Sequence, residues 1–231
     1  MKEDNFKITG RVIAVLVIMM LMICGGVLAF LTDRDKADNV FTVGNLELSI
    51  EEPSFDMETA ENLHPRDIVS KDPAVVNRDE VDAFVFMEIQ VPVRDVFLVG
   101  TGGKKISRTR TELFSMDFSS EWTLMTKEEN PENSCMVYLF VYGSEDSPKV
   151  LRGRDGDYEY RTEPLFTETA FANILEGELD EKELDIPVRV YGIQSASLEN
   201  RTAGEIFSIL SRQLETAPDI EPDPMEEGEE I

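Results

Sequence analysis

Alternating apolar and polar positions run through the middle of the chain and predict a protein built mainly of β-strands. The clearest case is Val81 to Val93, where the odd positions are apolar while Asp82 and Glu88 occupy even positions. Alternation with a period of two over this length predicts a strand with one buried face. Pro92 indicates either an edge position or the end of strand pairing.

Other segments repeat this pattern over shorter stretches. In Asn39 to Glu51 the phase of alternation changes across Gly44-Asn45, which predicts a bulge or a tight turn there. Four further strands are predicted, at Trp122 to Met125, Cys135 to Tyr142, Tyr158 to Phe166 and Leu184 to Ile193. Many short strands with little helix predict a β-sandwich or barrel.

The remaining segments are predicted as loops, one helix and a tail. Residues 52–67 and the glycine-rich, basic stretch Gly100 to Arg110 are interpreted as loops, the second being either solvated or a docking spot for an acidic neighbour. Thr202 to Glu205 fits a capping box, and apolar residues follow at helical spacing up to Leu214. The acidic, proline-containing residues after Leu214 are expected to be disordered.

The N-terminus carries an uncharged run of 20 residues, Val12 to Leu31, preceded by Lys2, Lys7 and Arg11. As a helix this run would span about 30 Å, the thickness of a bilayer core. A cleaved secretory signal would use Val27 and Ala29 as its small-residue site and be cut before Phe30. A retained membrane anchor and a lipoprotein acylated at Cys24 are the alternatives. Each of these makes the membrane a partner during export.

Charge and cysteine content limit the partners of the exported part. The formal net charge is −25, which disfavours nucleic acid as a partner and favours solubility. Once the N-terminal run is removed, Cys135 is the single cysteine, so no internal disulfide can form. We interpret Cys135 as a buried, apolar strand residue.

The sequence offers no convincing catalytic constellation. His64 is the single histidine, whereas zinc hydrolases usually draw on two or three. The acidic clusters Asp33 to Asp38 and Asp155 to Glu159 lack the spacing of a calcium loop, so they predict solvated loops or at most weak Ca²⁺ binding. We therefore predict no catalytic, cofactor or metal residues, and a protein that is not an enzyme.

Two stretches of the chain contain distinctive motifs. The first is Gly25-Gly26 through Ala29-Phe30-Leu31-Thr32-Asp33, followed by Phe41-Thr42-Val43-Gly44-Asn45-Leu46-Glu47-Leu48. The second is Leu63 to Asn77, which contains Lys71-Asp72-Pro73 and is followed by Asp82-Ala83-Phe84-Val85. Together they resemble the camelysin/TasA family of Gram-positive bacteria. The sequence departs from the family at Arg66, where a turn glycine is usual, and Gly100 to Arg110 has no counterpart in it.

The resemblance implies a jelly-roll β-sandwich with one or two short helices, processed by a SipW-type signal peptidase. The implied domains are a signal peptide (1–29), a β-sandwich (30–214) and an acidic tail (215–231). The implied function is a secreted or cell-surface structural protein, a biofilm-matrix fibre subunit or accessory component that associates with itself or with related matrix proteins. A camelysin-like metalloprotease and a membrane-tethered, non-polymerising module are the alternatives. The expected assembly segment contains Phe30, Leu31, Asp33 and Phe41.

Overall fold

The computed structural model describes residues 39–43, 46–175, 179 and 184–216, which form three β-sheets and two α-helices. The strands are β1 (Asn39–Val43), β2 (Leu48–Glu51), β3 (Ile68–Ser70), β4 (Ala74–Asn77), β5 (Ala83–Val99), β6 (Lys105–Glu112), β7 (Phe114–Ser115), β8 (Trp122–Asn130), β9 (Cys135–Tyr142), β10 (Val150–Leu151), β11 (Tyr160–Arg161), β12 (Glu168–Phe171) and β13 (Val188–Gln194). The helices are α1 (Met57–Glu61) and α2 (Ala203–Thr216), and Thr101–Gly103 forms a 3₁₀ turn.

The largest sheet is organised around β5, which is 17 residues long. Its strands follow the order β1-β13-β5-β9-β8, and β6 and β10 also pair with β5. All of these pairs are antiparallel except the one between β1 and β13. At Pro92 the pairing of β5 with β9 ends, and from Val93 onward β5 pairs with β6.

Two small sheets cover one face of the large sheet. One has the order β11-β4-β2 and the other the order β3-β12-β7. The odd positions of β5, including Val85, Met87 and Ile89, pack there against residues of the small sheets such as Val75 and Phe171. This main core therefore lies between sheets, which is what one-sided alternation predicts.

Helix α2 covers part of the opposite face. Phe84 and Phe86, at even positions of β5, are buried against Ile206 and Leu210 of the helix. The predicted capping box is confirmed, because the backbone N–H of Thr202 donates to Glu205 Oε2 over 3.0 Å. The first half of β5 is thus buried on both faces, whereas the alternation predicted one buried face.

The prediction of a mainly β fold is confirmed, and the predicted strand Cys135 to Tyr142 is found with those bounds. The phase change after β1 separates two strands of different sheets, β1 and β2. Gly44-Asn45, where the change falls, lies outside the described residues.

Three predictions of local structure are wrong. Gly100 to Arg110 is not a loop, because its second half forms β6. The predicted loop 52–67 contains α1, whose N-cap Asp56 accepts a hydrogen bond from the N–H of Thr59 over 3.1 Å. Of the predicted strand Tyr158 to Phe166, only β11 is formed.

Several predictions made from the sequence concern residues that the structure does not describe. They are the signal peptide with Val27, Ala29 and Phe30, the assembly residues Leu31 and Asp33, the acids of 33–38 and the tail beyond residue 216. Among the described helices, neither α1 nor α2 has the length and apolar character needed to cross a bilayer.

Candidate functional sites

The turn before β3 contains Arg66, the residue that departs from the family pattern. Its φ is +80°, in the left-handed region that favours glycine. The N–H of Arg66 donates to the carbonyl of Phe171 over 3.2 Å, so the turn is held against β12 in this conformation. The position thus needs the backbone of a turn glycine even though it carries an arginine.

The Lys71-Asp72 pair fastens the segment 52–55 to the small sheets. Lys71 Nζ lies 2.6 Å from Glu52 Oε1, and the two side chains are only 14% and 8% exposed. Asp72 Oδ1 accepts a hydrogen bond from the N–H of Ser54 over 2.8 Å. These contacts give the second family-like stretch a structural role.

Asn77 ends the same stretch and is fully buried at the end of β4. Its Nδ2 donates to the carbonyls of Val81 and Leu151 over 2.9 and 3.4 Å, and its Oδ1 accepts from the N–H of Asp79. One side chain therefore satisfies three backbone groups and joins the loop 79–81 to β10, which gives Asn77 a structural role.

Strand β1 forms one edge of the large sheet and contains Phe41 of the expected assembly segment. It pairs in parallel with β13, with Phe41 opposite Tyr191 and Thr42 opposite Gly192. A Cβ at Gly192 would lie 2.4 Å from Leu48 Cδ1, so a larger residue there would displace the Leu48 side chain. Among the described strands, none pairs with the outer edge of β1.

His64 lies on the surface before β3. Its side chain is 74% exposed, and its Nδ1 lies 3.5 Å from Asp67 Oδ2. The backbone N–H of His64 also donates to Asp67 Oδ2 over 2.7 Å, so this carboxylate caps the turn.

Cys135 lies in β9 and is buried, as predicted. Burial raises the pKa of its thiol, and the nearby charge of Glu88 raises it further. Glu88 accepts hydrogen bonds from Arg189 Nη1 and the Tyr191 hydroxyl, each over 3.1 Å. Burial and the adjacent carboxylate raise the pKa of Tyr191 to about 12, so it stays a neutral donor. The carboxylate of Glu88 is therefore hydrogen-bonded within the protein, by Arg189 and Tyr191.

The second half of β5 and β6 form a β-ribbon, here called the basic arm and defined as residues 96–111. Its cations are Lys104, Lys105, Arg108 and Arg110, and it contains no acidic residue. Every residue from Thr101 to Arg110 is exposed. Lys105 Nζ lies 3.5 Å from the centre of the Phe97 ring, and Arg110 Nε donates to Glu129 of β8 over 2.6 Å.

Comparison with known proteins gives one match. The profile of the camelysin metallo-endopeptidase family matches residues 5–105, which include the N-terminal apolar run and the chain up to the start of β6. This confirms the resemblance to the camelysin/TasA family. Neither the curated proteins nor the solved structures contain a match.

The family match corrects one prediction from the sequence. We predicted that the chain is not an enzyme, and this is wrong at the level of the family, since the matching family is that of a metallo-endopeptidase. This name implies a metal ion held by His, Cys, Asp or Glu side chains. Within the described residues, no three His, Cys, Asp or Glu side chains come together as metal ligands. These residues do not fit such a metal, so we derive no catalytic step through one.

Proposed function

We propose, from the match of residues 5–105 to the camelysin family, that the chain is a secreted or cell-surface structural protein, a biofilm-matrix fibre subunit or accessory component. The observation that carries the proposal is that a single family match includes both the N-terminal apolar run and the first strands of the β-fold. On this proposal a SipW-type signal peptidase cuts between Ala29 and Phe30, and the released domain is a jelly-roll-like sandwich.

The edge of the large sheet supports this proposal. The segment that cleavage would release, with Phe30, Leu31 and Asp33, leads directly into β1. The outer edge of β1 has no partner among the described strands, and an added strand gains main-chain hydrogen bonds there. A strand from a second copy or from a related matrix protein is the proposed partner.

N-terminal sequencing of the chain in fractions of a Gram-positive host tests the proposal. We expect the wall and medium fractions to contain a chain that begins at Phe30. An Ala29→Gln variant should accumulate as uncut precursor, because the small residue before the cut is lost. Ala37→Gln, the same change eight positions later, serves as the control and should be processed normally. A wild-type chain that stays in the cytoplasm with Met19 still present would contradict the proposal.

The name of the matched family favours metallo-endopeptidase activity as a second candidate function. On this candidate, the pure chain hydrolyses casein and EDTA stops the reaction. His64→Gln removes the single imidazole of the chain and separates its own activity from that of a contaminant. Hydrolysis that EDTA leaves unchanged, or that His64→Gln leaves unchanged, argues against metal-dependent catalysis through this histidine.

A further inference from the structure

The β6 side of the basic arm and its tip are exposed to solvent, whereas its β5 side is joined to residues 173–175. Ten consecutive residues, 101–110, are exposed, and this stretch lies in a chain with a net charge of −25. The Val99 N–H donates to the Asn173 carbonyl over 2.8 Å, and the Leu175 N–H donates to the Phe97 carbonyl over 2.7 Å, so the β5 side of the arm is fixed. The side of the arm that a partner would cover is therefore β6.

The surface of the arm combines charge, apolar area and free backbone groups. Lys105 and Arg108 lie over the ring of Phe97, at 3.5 and 5.0 Å from its centre. Ile106 is 45% exposed beside them. Strand β6 pairs with β5 and with no other described strand, so its outer edge is open. An acidic protein surface could pair with the cations, cover the exposed Ile106 and bind the open edge of β6.

Such a surface exists at the opposite end of β5. We call it the acidic end and define it as residues 78–82, 143–159 and 195–201. Backbone hydrogen bonds join these segments, from Ser195 N–H to the Asp82 carbonyl and from Arg154 N–H to the Asp79 carbonyl. Its exposed acids are Glu80, Asp82, Glu145, Asp146, Asp155, Asp157 and Glu199.

Glutamates hold two of the cations of the acidic end. Arg78 is paired with Glu51 and Glu159, and Lys149 is paired with Glu121. Arg152 lies over the ring of Tyr160, 4.7 Å from its centre. The exposed acids of this end thus outnumber Arg154 and Arg201, the two cations that remain.

The length of β5 separates the two surfaces within one molecule. Ala83 begins the strand at the acidic end, and the arm lies beyond Val96, so about 45 Å of strand lies between them. The arm of one copy is therefore held away from its own acidic end. A second copy can bring its acidic end to the arm, and its own arm then stays open to a third copy.

We infer that the basic arm is a docking surface for the acidic end of a second copy of this chain, which gives a head-to-tail contact. The inference deepens the proposed function and rests on it, since it requires that copies of the chain assemble. At physiological salt, charges separated by more than about 8 Å are largely screened, so local pairing outweighs the net repulsion. The contact differs from strand addition at β1, because it lies at β6 and is formed between the cations of the basic arm and the carboxylates of the acidic end.

Charge reversal tests the inference on the full chain, kept in a mild non-ionic detergent and studied by sedimentation velocity. We expect self-association at 150 mM NaCl that is lost at 1 M NaCl. Lys104→Glu with Lys105→Glu should weaken it at least about tenfold, as should Asp146→Lys with Asp157→Lys. The four changes combined in one chain should restore association, because each docked pair again joins opposite charges.

Arg66→Glu with Arg212→Glu is the matched control. It changes the net charge by the same amount outside the arm and should leave association within about twofold. Association of the arm variant at the wild-type level would overturn the inference, and so would a monomeric wild type or a failure of the combined variant to recover. If deletion of residues 217–231 removes the effect of the arm variant, the acidic tail is the partner and the inference is also overturned.

The outcome of this test is distinguishable from the outcome for the proposed function. Sedimentation reports contact between purified copies, whereas fractionation and N-terminal sequencing report export. A chain that is exported and processed but does not dock through its arm overturns only the inference. A chain that docks but stays in the cytoplasm overturns only the proposed function.

Discussion

Lys71→Met is expected to lower the free energy of unfolding by about 3–5 kcal/mol, because it removes the cation that is paired with the buried carboxylate of Glu52. The two charged groups lie 2.6 Å apart, and both side chains are almost entirely removed from solvent. Lys71 also lies over the ring of Phe55, at 5.1 Å from its centre, so the substitution removes a second favourable contact. Urea unfolding monitored by circular dichroism measures the change.

The double variant Lys71→Met with Glu52→Leu is the matched control for this prediction. It removes both charges and keeps the apolar volume, so it should be clearly more stable than Lys71→Met alone. A single substitution that costs less than about 1 kcal/mol would mean that water reaches this ion pair, as it does in exposed pairs. The buried position described above would then be wrong.

Phe86→Ala is expected to cost about 3–5 kcal/mol, the usual range for a large aromatic residue removed from a core. Phe86 is fully buried on the helix side of β5. Its ring contacts that of Phe207 of α2 edge to face, with centres 5.1 Å apart. The cavity would open between sheet and helix, so hydrogen exchange in α2 should accelerate together with the loss in urea stability.

Tyr158→Ala removes an aromatic ring of similar size from the surface and serves as the control. Tyr158 is 64% exposed, so its loss should change stability by no more than about 0.5 kcal/mol. Equal costs for the two substitutions would show that Phe86 does not join α2 to the sheet.

The sequence predicts best those strands that have one buried and one solvated face. Cys135 to Tyr142 and the core of β5 are found because their apolar positions alternate. Strand β6 could not be found in this way, since six of its residues, Lys105 to Arg110, are exposed and neither face carries an apolar row. Its residues Ile106, Thr109 and Thr111 favour strands, and this propensity was the available signal.

Short elements were also missed, for a different reason. Strand β4 consists of four buried residues, Ala74 to Asn77, and such a run has no period to detect. Helix α1 is five residues long, less than two turns, and its signal is the cap Asp56 rather than an amphipathic pattern. Tertiary contacts with neighbouring sheets, rather than local preference, decide the structure of such segments.

The residues of the family-like stretch could be located from sequence, but their contacts could not. The motif identifies Lys71 and Asp72, whereas their partners Glu52 and Ser54 lie in a segment that was read only as loop. Pairing of residues 18 or 19 positions apart depends on how the sheets pack. The basic character of Gly100 to Arg110 could also be recognised from the sequence. That residues 143–159 form part of an acidic surface at the other end of β5 follows only from the topology of the sheet.

The parallel pairing of β1 with β13 has a consequence for the order in which the chain can fold. Asn39 lies opposite Arg189, so the two partners are 150 positions apart. A chain that leaves a ribosome or a translocation channel N-terminus first exposes β1 long before β13 exists. The edge strand must wait for nearly the whole domain to emerge, and contacts of such long range are slow to form. Completion of the large sheet therefore reports that the chain has emerged through β13, and until then β1 is open to a strand from another molecule.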